Sequence, residues 1–225
     1  MQDFPTLGSL LVGGEHVNNG WNRIIYKCWS PIYDHFFNAG LFLKARNEIF
    51  RDISLEKGSK ILFIGVGTGA DLPYFLNKGY DITAIDYSAD MLKVAKEKYS
   101  DSSVTFLEMD AQNMEFPDKS FDFIVASLIL SVVPDPKKTL NEMIRVLKKN
   151  EYFLVFDKFS PKNKNMNIKQ KIFRPIIKLF GTDIGLDFYQ LFKVVENHCN
   201  VIQDENVMLN GMYRKILGFK KGATK

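Results

Sequence analysis

Residues 61–72 read ILFIGVGTGADL, and this stretch decides the class of fold. A short apolar run leads directly into three glycines, at positions 65, 67 and 69, which alternate with other residues. Such a run is typical of a buried strand, and closely spaced glycines let the backbone turn sharply and approach a ligand. The stretch therefore predicts a strand that ends in a ligand-binding loop.

Apolar runs of similar length continue along the chain and alternate with helical patterns. The predicted strands are KILFIG, DITAID, SVTFLEM, FDFIVAS and YFLVFD. Helices are predicted to end near Gly79, to begin after Ser88 as N-cap, and to cover residues 137–148. Because strands that alternate with helices pair in parallel, we predict an α/β fold with a doubly wound, Rossmann-like, mostly parallel sheet.

Both ends of the chain depart from this alternation. Residues 1–57 are rich in aromatic side chains and predict a helical N-terminal cap, with a helix from about Leu41 to Ile53. Residues 58–225 form the predicted ligand-binding domain. Near its end, NVIQDENVMLNG and MYRKILGF meet at Asn210 and Gly211, which predicts an antiparallel C-terminal hairpin.

Composition sets limits on the class of protein. The chain has 225 residues, of which 46% are apolar and 25% charged, as in an ordinary globular domain. It contains no run of about 18 uncharged apolar residues, and its first residues lack the basic opening of a signal peptide, so we expect a cytoplasmic protein. Cys28 and Cys199 have no metal-binding or redox spacing; we expect two buried thiols and no metal site.

The glycines fit two nucleotide ligands equally well. Gly65, Gly67 and Ala70 match the dinucleotide pattern G-x-G-x-x-[G/A], whereas the three glycines match the G-x-G-x-G of S-adenosylmethionine (SAM) enzymes. Asp86, 21 residues after Gly65, suits the ribose of either ligand. Asp110 after the third strand, the later stretch FPDKSFDFIVASLILSVVPDP and the terminal hairpin favour SAM.

With these segments in order, residues 33–157 resemble a class I SAM-dependent methyltransferase. The matching segments are IGVGTG, ITAIDYSADML, EMDAQNMEFPDKSFD, and VVPDP followed by RVLKK. Within that superfamily the chain most resembles the phospholipid N-methyltransferase and ubiquinone/menaquinone C-methyltransferase group, through WSPIYDHFF, SVVPDP and VFDKF.

The resemblance implies roles for individual residues in binding SAM. Gly65, Gly67 and Gly69 would form the SAM loop, and Asp86 would bind the ribose. The remaining implied contacts are Tyr87 and Met91 beside the adenine, Asp110 and Ala111 at its edge, and Ser127 beneath the transferable methyl group. Tyr33 and Asp34 match a pair in the helix that closes over the cofactor in these relatives.

Two positions depart from the family pattern. Phe63 stands where the family usually has an acidic residue that holds the amino group of SAM. Either another group, such as Asp71 or a backbone carbonyl, takes that role, or the affinity for SAM is reduced. Lys148-Lys149-Asn150-Glu151 replaces the usual Lys-Pro-Gly-Gly, and Asn150 is expected to adopt the left-handed turn.

The candidate catalytic residues are Tyr33 and His35. An acceptor amine or enolised carbon must lose a proton, and an unperturbed histidine titrates near neutral pH. The alternative is that His35 is a partly exposed helical residue without a catalytic role. Asp34 and Asp157 are further candidates.

Positive charge is concentrated after Asp157. Residues 158–225 contain thirteen Lys or Arg against five Asp or Glu, and residues 158–180 contain seven against none. This basic insertion, over about residues 158–198, is either a cover of the site with a solvated lysine face or a contact with an anionic membrane. Nucleic acid is the least favoured partner, since no RNA-recognition module accompanies the charge.

The predicted function is methyl transfer from SAM to a small or amphipathic acceptor, such as a lipid head-group amine or a quinone-type lipid. A SAM-binding protein without methyltransferase activity and an NAD-dependent oxidoreductase are the alternatives.

Overall fold

The computed structural model describes residues 40–160 and 185–222. In this part of the chain, seven strands form one sheet in the order β3-β2-β1-β4-β5-β7-β6. Their bounds are β1 Lys60–Ile64, β2 Asp81–Asp86, β3 Thr105–Glu108, β4 Phe121–Ser127, β5 Leu147–Lys158, β6 Cys199–Met208 and β7 Tyr213–Lys220. The helices are α1 Gly40–Phe50, α2 Ala89–Lys98, α3 Pro136–Val146 and α4 Phe188–Phe192.

The sheet has the predicted topology. Strands β1 to β5 pair in parallel, and β7 runs antiparallel between β5 and β6. The C-terminal hairpin is thereby confirmed, although its connection is a 3-10 turn over Leu209–Gly211 rather than a two-residue turn. Asn210 has a φ of 54° in this turn, as its position predicted.

Both faces of the sheet are covered, which explains the continuous apolar run of β1. Leu62 and Ile64 belong to the core under α3 and α4, whereas Ile61 and Phe63 belong to the core under α1. A strand that is buried on both faces needs apolar residues at every position rather than at alternate ones.

Capping residues define the helices at the site edge. The Ser88 hydroxyl accepts the Met91 N–H at 3.3 Å, as predicted, and Asp135 accepts the N–H groups of Lys137 and Lys138 at 3.0 Å each. Met91, Leu92 and Ala95 are the buried face of α2. Asn150 has a φ of 60°, which confirms the expected left-handed turn before the parallel part of β5.

One predicted helix is wrong in extent. The segment between β1 and β2 contains only a 3-10 turn, Leu72–Tyr74, instead of a helix reaching Gly79. Pro73 lacks an N–H group, and Asn77 adopts a φ of 61°, so a regular helix cannot continue through this segment.

Several sequence predictions lie outside the described residues. The cap of residues 1–57 is described only from Gly40 onward, and Cys28 and the basic stretch 161–184 are not part of the described chain. Cys199 is a buried free thiol, as expected. None of the described helices is long and apolar enough to cross a membrane.

Candidate SAM-binding site

The predicted ligand-binding residues lie at the carboxyl edge of the parallel strands. The sheet order reverses between β1 and β4, and a crevice outside the carboxyl ends at such a point is where doubly wound folds bind ligands. The loops after β1, β2, β3 and β4 carry the glycines, Asp86, Asp110 and Ser127 respectively. These four loops therefore form the wall of one candidate site.

The three loop glycines have different surroundings although all have positive φ angles. A Cβ atom on Gly65 would lie 2.7 Å from Ile129 Cδ1, and one on Gly69 would lie 2.4 Å from Tyr99 Cε2. A Cβ atom on Gly67 would meet no atom within 4 Å. Gly65 and Gly69 thus permit close packing within the protein, and Gly67 is the glycine at which a ligand can approach the backbone.

Asp86 joins the glycine loop to the end of β2. Its Oδ2 accepts the Gly67 N–H at 2.8 Å, and its Oδ1 accepts the Ser88 N–H at 2.8 Å. Burial raises the pKa of this carboxyl group, while the hydrogen bonds from Ser88 and Gly67 oppose that rise. A half-buried carboxylate held in this way has a fixed orientation and lone pairs for ribose hydroxyl groups.

The carbonyl groups of the glycine loop are held by the end of α2. Lys98 Nζ donates to the Thr68 carbonyl at 3.1 Å, and the Tyr99 hydroxyl donates to the Gly69 carbonyl at 2.8 Å. Neither contact is predictable from a local sequence pattern, because donor and acceptor are 30 residues apart.

Asp110 is oriented by its own loop. Its carboxylate accepts the backbone N–H of Gln112 at 2.9 Å and the Gln112 side-chain amide at 3.0 Å. The Gln112 Oε1 in turn accepts the Asp135 N–H at 2.9 Å, which connects this loop to the start of α3. Gln112 was not predicted as a site residue.

The other predicted cofactor residues differ in exposure. Tyr87 is 43% exposed, so its ring is accessible beside Asp86. Met91 and Ala111 are 2% and 6% exposed. Their side chains contribute mainly to the core, and contact with a ligand at Ala111 would use its backbone.

Ser127 ends β4 with a buried hydroxyl group. The residue is 9% exposed, and its Oγ has no hydrogen-bond partner within the described part of the chain. Buried polar atoms are nearly always paired, so an unpaired hydroxyl at this edge is consistent with a group that binds a ligand.

The loop after Ser127 is fixed to β5. The Leu128 N–H donates to the Phe156 carbonyl at 2.7 Å, and the Ser131 N–H donates to Asp157 at 3.1 Å. Asp157 is completely buried, and burial raises the pKa of its carboxyl group. This arrangement supports Asp157 as a residue that positions the loop whose Ile129 faces Gly65.

Phe63, at the position of the usual acidic residue, is part of an aromatic cluster. Its ring lies 5.1 Å from that of Phe75, and Phe75 also contacts Phe50 and Phe123. Asp71, the predicted alternative, lies two residues after Gly69, and its Oδ1 accepts a hydrogen bond from Arg46 Nε at 2.5 Å. Arg46 belongs to α1 and was not predicted as a site residue.

Tyr33, Asp34 and His35 lie outside the described residues, so their catalytic roles stay predictions. No group of three or more His, Cys, Asp or Glu residues that could hold a metal ion occurs within residues 40–160 and 185–222.

Comparison with known proteins identifies the class of domain. Residues 62–155, which include every predicted cofactor-binding residue, match a family model described as a methyltransferase domain. The chain is 34% identical over 139 residues to a phosphatidylethanolamine N-methyltransferase of Cereibacter sphaeroides, covering 60% of this chain and 66% of that protein. It is also 34% identical over 122 residues to a demethylmenaquinone methyltransferase of Paenarthrobacter aurescens, covering 53% and 47%. The chain thus spans about two thirds of the first relative and about half of the second.

Solved structures share the fold. A SAM-dependent methyltransferase of Thermotoga maritima superposes with a TM-score of 0.67 at 20% identity, covering 88% of this chain and 99% of that one. A SAM-dependent methyltransferase of Aquifex aeolicus gives a TM-score of 0.62 at 19% identity, covering 84% and 97%. These similarities confirm the predicted Rossmann-like fold.

Proposed function

Since the chain belongs to the class I SAM-dependent methyltransferases, we propose that it transfers the methyl group of SAM to a lipid-like acceptor. The first candidates are a lipid head-group amine and a quinone-type lipid. The observation that carries the proposal is the edge of the crevice, where Gly67 faces open space and its N–H donates to the half-buried carboxylate of Asp86.

The described residues fit the parts of SAM. Asp86 has a fixed carboxylate for the ribose, Asp110 lies at the end of β3 for the adenine edge, and Ser127 has an unpaired hydroxyl at the end of β4. SAM supplies a methyl carbon that is already activated by its sulfonium. The protein therefore has mainly to align the acceptor and exclude water, and alignment can contribute on the order of 7 to 11 kcal/mol.

Two observations support a lipid-like acceptor. The similar proteins of known class include a phosphatidylethanolamine N-methyltransferase and demethylmenaquinone methyltransferases. In addition, residues 158–180 contain seven Lys or Arg and no Asp or Glu, and cations near an anionic membrane surface contribute about 1 kcal/mol each.

Two measurements test the proposal in sequence. Calorimetry with S-adenosylhomocysteine tests the cofactor site, and absence of binding by folded protein excludes the proposal. Transfer of a labelled methyl group from SAM is then measured on vesicles containing phosphatidylethanolamine and on a demethylated naphthoquinone lipid, with Asp86→Ala as the inactive control. Binding without transfer to any acceptor supports the alternative, a SAM-binding protein without methyltransferase activity.

Membrane contact requires a separate assay. Co-sedimentation with vesicles of phosphatidylcholine alone and of phosphatidylcholine with phosphatidylglycerol should show binding only to the anionic vesicles. The binding should weaken at high salt, because added ions screen the attraction. Equal binding to both kinds of vesicle contradicts a role for the basic stretch.

A further inference from the structure

Phe63 leaves the amino group of SAM without its usual acidic partner in this fold. The side chain is 2% exposed and lies among other aromatic rings, so it has no polar atom to offer. Asp86 does not replace it, because both of its oxygens accept backbone N–H groups and it is assigned to the ribose. Another carboxylate beside the glycine loop is therefore required if the amino group is to be held by a charged partner.

Asp71 has the position and burial for this role. It follows Gly69 by two residues, and the Leu72 N–H donates to the Gly69 carbonyl at 3.2 Å, which holds Asp71 against the glycine loop. The residue is 8% exposed. A carboxylate that is buried to this degree needs charged or hydrogen-bonding partners to remain ionised.

Within residues 40–160 and 185–222, the side-chain hydrogen bond to Asp71 goes to one of its two oxygens. Oδ1 accepts from Arg46 Nε, and Oδ2 accepts no hydrogen bond from these described residues. A carboxylate usually accepts several hydrogen bonds, and the Arg46 guanidinium is the charged partner of this one. The open oxygen is thus an acceptor with negative charge, which a primary ammonium group matches.

We infer that Asp71 accepts a hydrogen bond from the α-ammonium group of SAM through Oδ2, with Arg46 as the residue that positions it. This inference rests on the proposed function. In this arrangement the acidic partner of the ammonium group is residue 71, after the glycine loop, instead of residue 63 in β1. Arg46 also connects the cofactor site to α1 and so to the N-terminal part of the chain.

The test compares the binding of three ligands that differ in whether they carry the α-ammonium group and the carboxylate of the amino-acid part. S-Adenosylhomocysteine has the ammonium and the carboxylate, its decarboxylated analogue has only the ammonium, and 5′-methylthioadenosine has neither. Asp71→Asn should weaken binding of the first two ligands by about 10- to 100-fold, the range for a hydrogen bond between charged groups, and leave binding of 5′-methylthioadenosine unchanged. Asp81→Asn, an exposed carboxylate at the opposite edge of the sheet, is the matched control and should change none of the three.

A purely structural role of Asp71 predicts a different pattern. If the pair with Arg46 only holds the fold together, Asp71→Asn weakens all three ligands equally, and the inference is overturned. It is also overturned if the decarboxylated analogue keeps its wild-type affinity, because a contact between Asp71 and the ammonium group would be lost in that ligand as well. Absence of S-adenosylhomocysteine binding by the wild-type protein instead contradicts the proposed function itself.

A second variant guards against loss of folding. Asp71→Asn removes the carboxylate that accepts the Arg46 Nε–H, whereas the double variant Arg46→Gln, Asp71→Asn replaces the pair by two neutral amides. This double variant should keep the circular dichroism spectrum of the wild type and show the same ligand pattern as Asp71→Asn. Wild-type affinity for the decarboxylated analogue in the folded double variant contradicts the inference.

Discussion

The carboxylates of Asp86 and Asp110, at the ends of β2 and β3, accept backbone N–H groups, whereas the carboxylate of Asp204 in β6 is paired with the charged side chain of Arg214 in β7. In the first region, the cofactor half, Asp86 and Asp110 accept N–H groups of the residues two positions further on. In the second region, the hairpin half, Arg214 forms an ion pair with Asp204, whose side chain also accepts the Tyr189 hydroxyl at 2.7 Å.

The ion pair of the hairpin half is almost completely buried and lies among aromatic rings. The side chains of Arg214 and Asp204 are 2% and 6% exposed, and the guanidinium lies 5.5 to 5.9 Å from the rings of Phe159, Phe188 and Tyr189. Buried ion pairs are costly to break, whereas short loops held by backbone bonds change little when a ligand leaves. We therefore expect substitutions in the hairpin half to affect stability and those in the cofactor half to affect ligand affinity.

The largest effect is expected at Arg214. Arg214→Ala removes the cation that pairs with the buried Asp204 and should lower the free energy of unfolding by about 3 to 5 kcal/mol, measured by urea denaturation. Arg51→Ala is the matched control, because Arg51 and Asp52 form an ion pair at 3.5 Å with both side chains more than 70% exposed. Arg51→Ala should lower the free energy of unfolding by about 0 to 1 kcal/mol. If both variants lower the free energy of unfolding by similar amounts, the buried ion pair of the hairpin half contributes no more to stability than an exposed one.

A smaller effect, on affinity rather than stability, is expected at Asp86. Asp86→Asn should weaken S-adenosylhomocysteine binding by about 1.5 to 3 kcal/mol, because an amide replaces a charged acceptor and places an N–H group against the N–H of Gly67 or Ser88. The measurement is calorimetry, with a urea denaturation curve for each protein.

The pH dependence of binding sharpens this prediction. Burial raises the pKa of Asp86, so protonation on acidification begins at a higher pH than for an ordinary aspartate, whose value is 3.8. Protonation removes the charged acceptor, and wild-type affinity should therefore fall as the pH decreases through the raised pKa. Asp86→Asn should lack that part of the pH dependence. If the affinity of both proteins falls equally on acidification, a group other than Asp86 is responsible.

The smallest effects are expected for alanine substitutions of Gly67 and Gly69, which should differ in their effects on stability and on ligand affinity. Gly69→Ala places a methyl group against the Tyr99 ring and should lower the free energy of unfolding by about 1 to 3 kcal/mol. Gly67→Ala meets open space, so only its positive φ of 55° costs stability, at about 1 to 2 kcal/mol. Its methyl group instead occupies the approach to the backbone and should reduce S-adenosylhomocysteine affinity more than Gly69→Ala does. The reverse order of affinities would place the ligand at Gly69.

Much of the cofactor half could be predicted because its signals are local. The Ser88 cap, the left-handed Asn150 and the strand ends that carry Asp86 and Asp110 depend on residues only a few positions apart. The helix predicted up to Gly79 was wrong for a local reason as well, since Pro73 weakens helical hydrogen bonding. What could not be predicted were contacts between distant segments, such as Tyr99 with Gly69 and Arg46 with Asp71.

The sequence by itself determined the alternation of strands and helices, the glycine loop, the acidic residues after β2 and β3, and the antiparallel hairpin. These features follow from periodicity, turn chemistry and capping, which operate within a few residues. Only the tertiary structure decided that Phe63 belongs to an aromatic cluster, that Asp71 is held by Arg46 from α1, and that Arg214 is enclosed by three aromatic rings. Buried polar groups must find partners wherever packing brings donors and acceptors together, and no local pattern in the chain specifies those pairs.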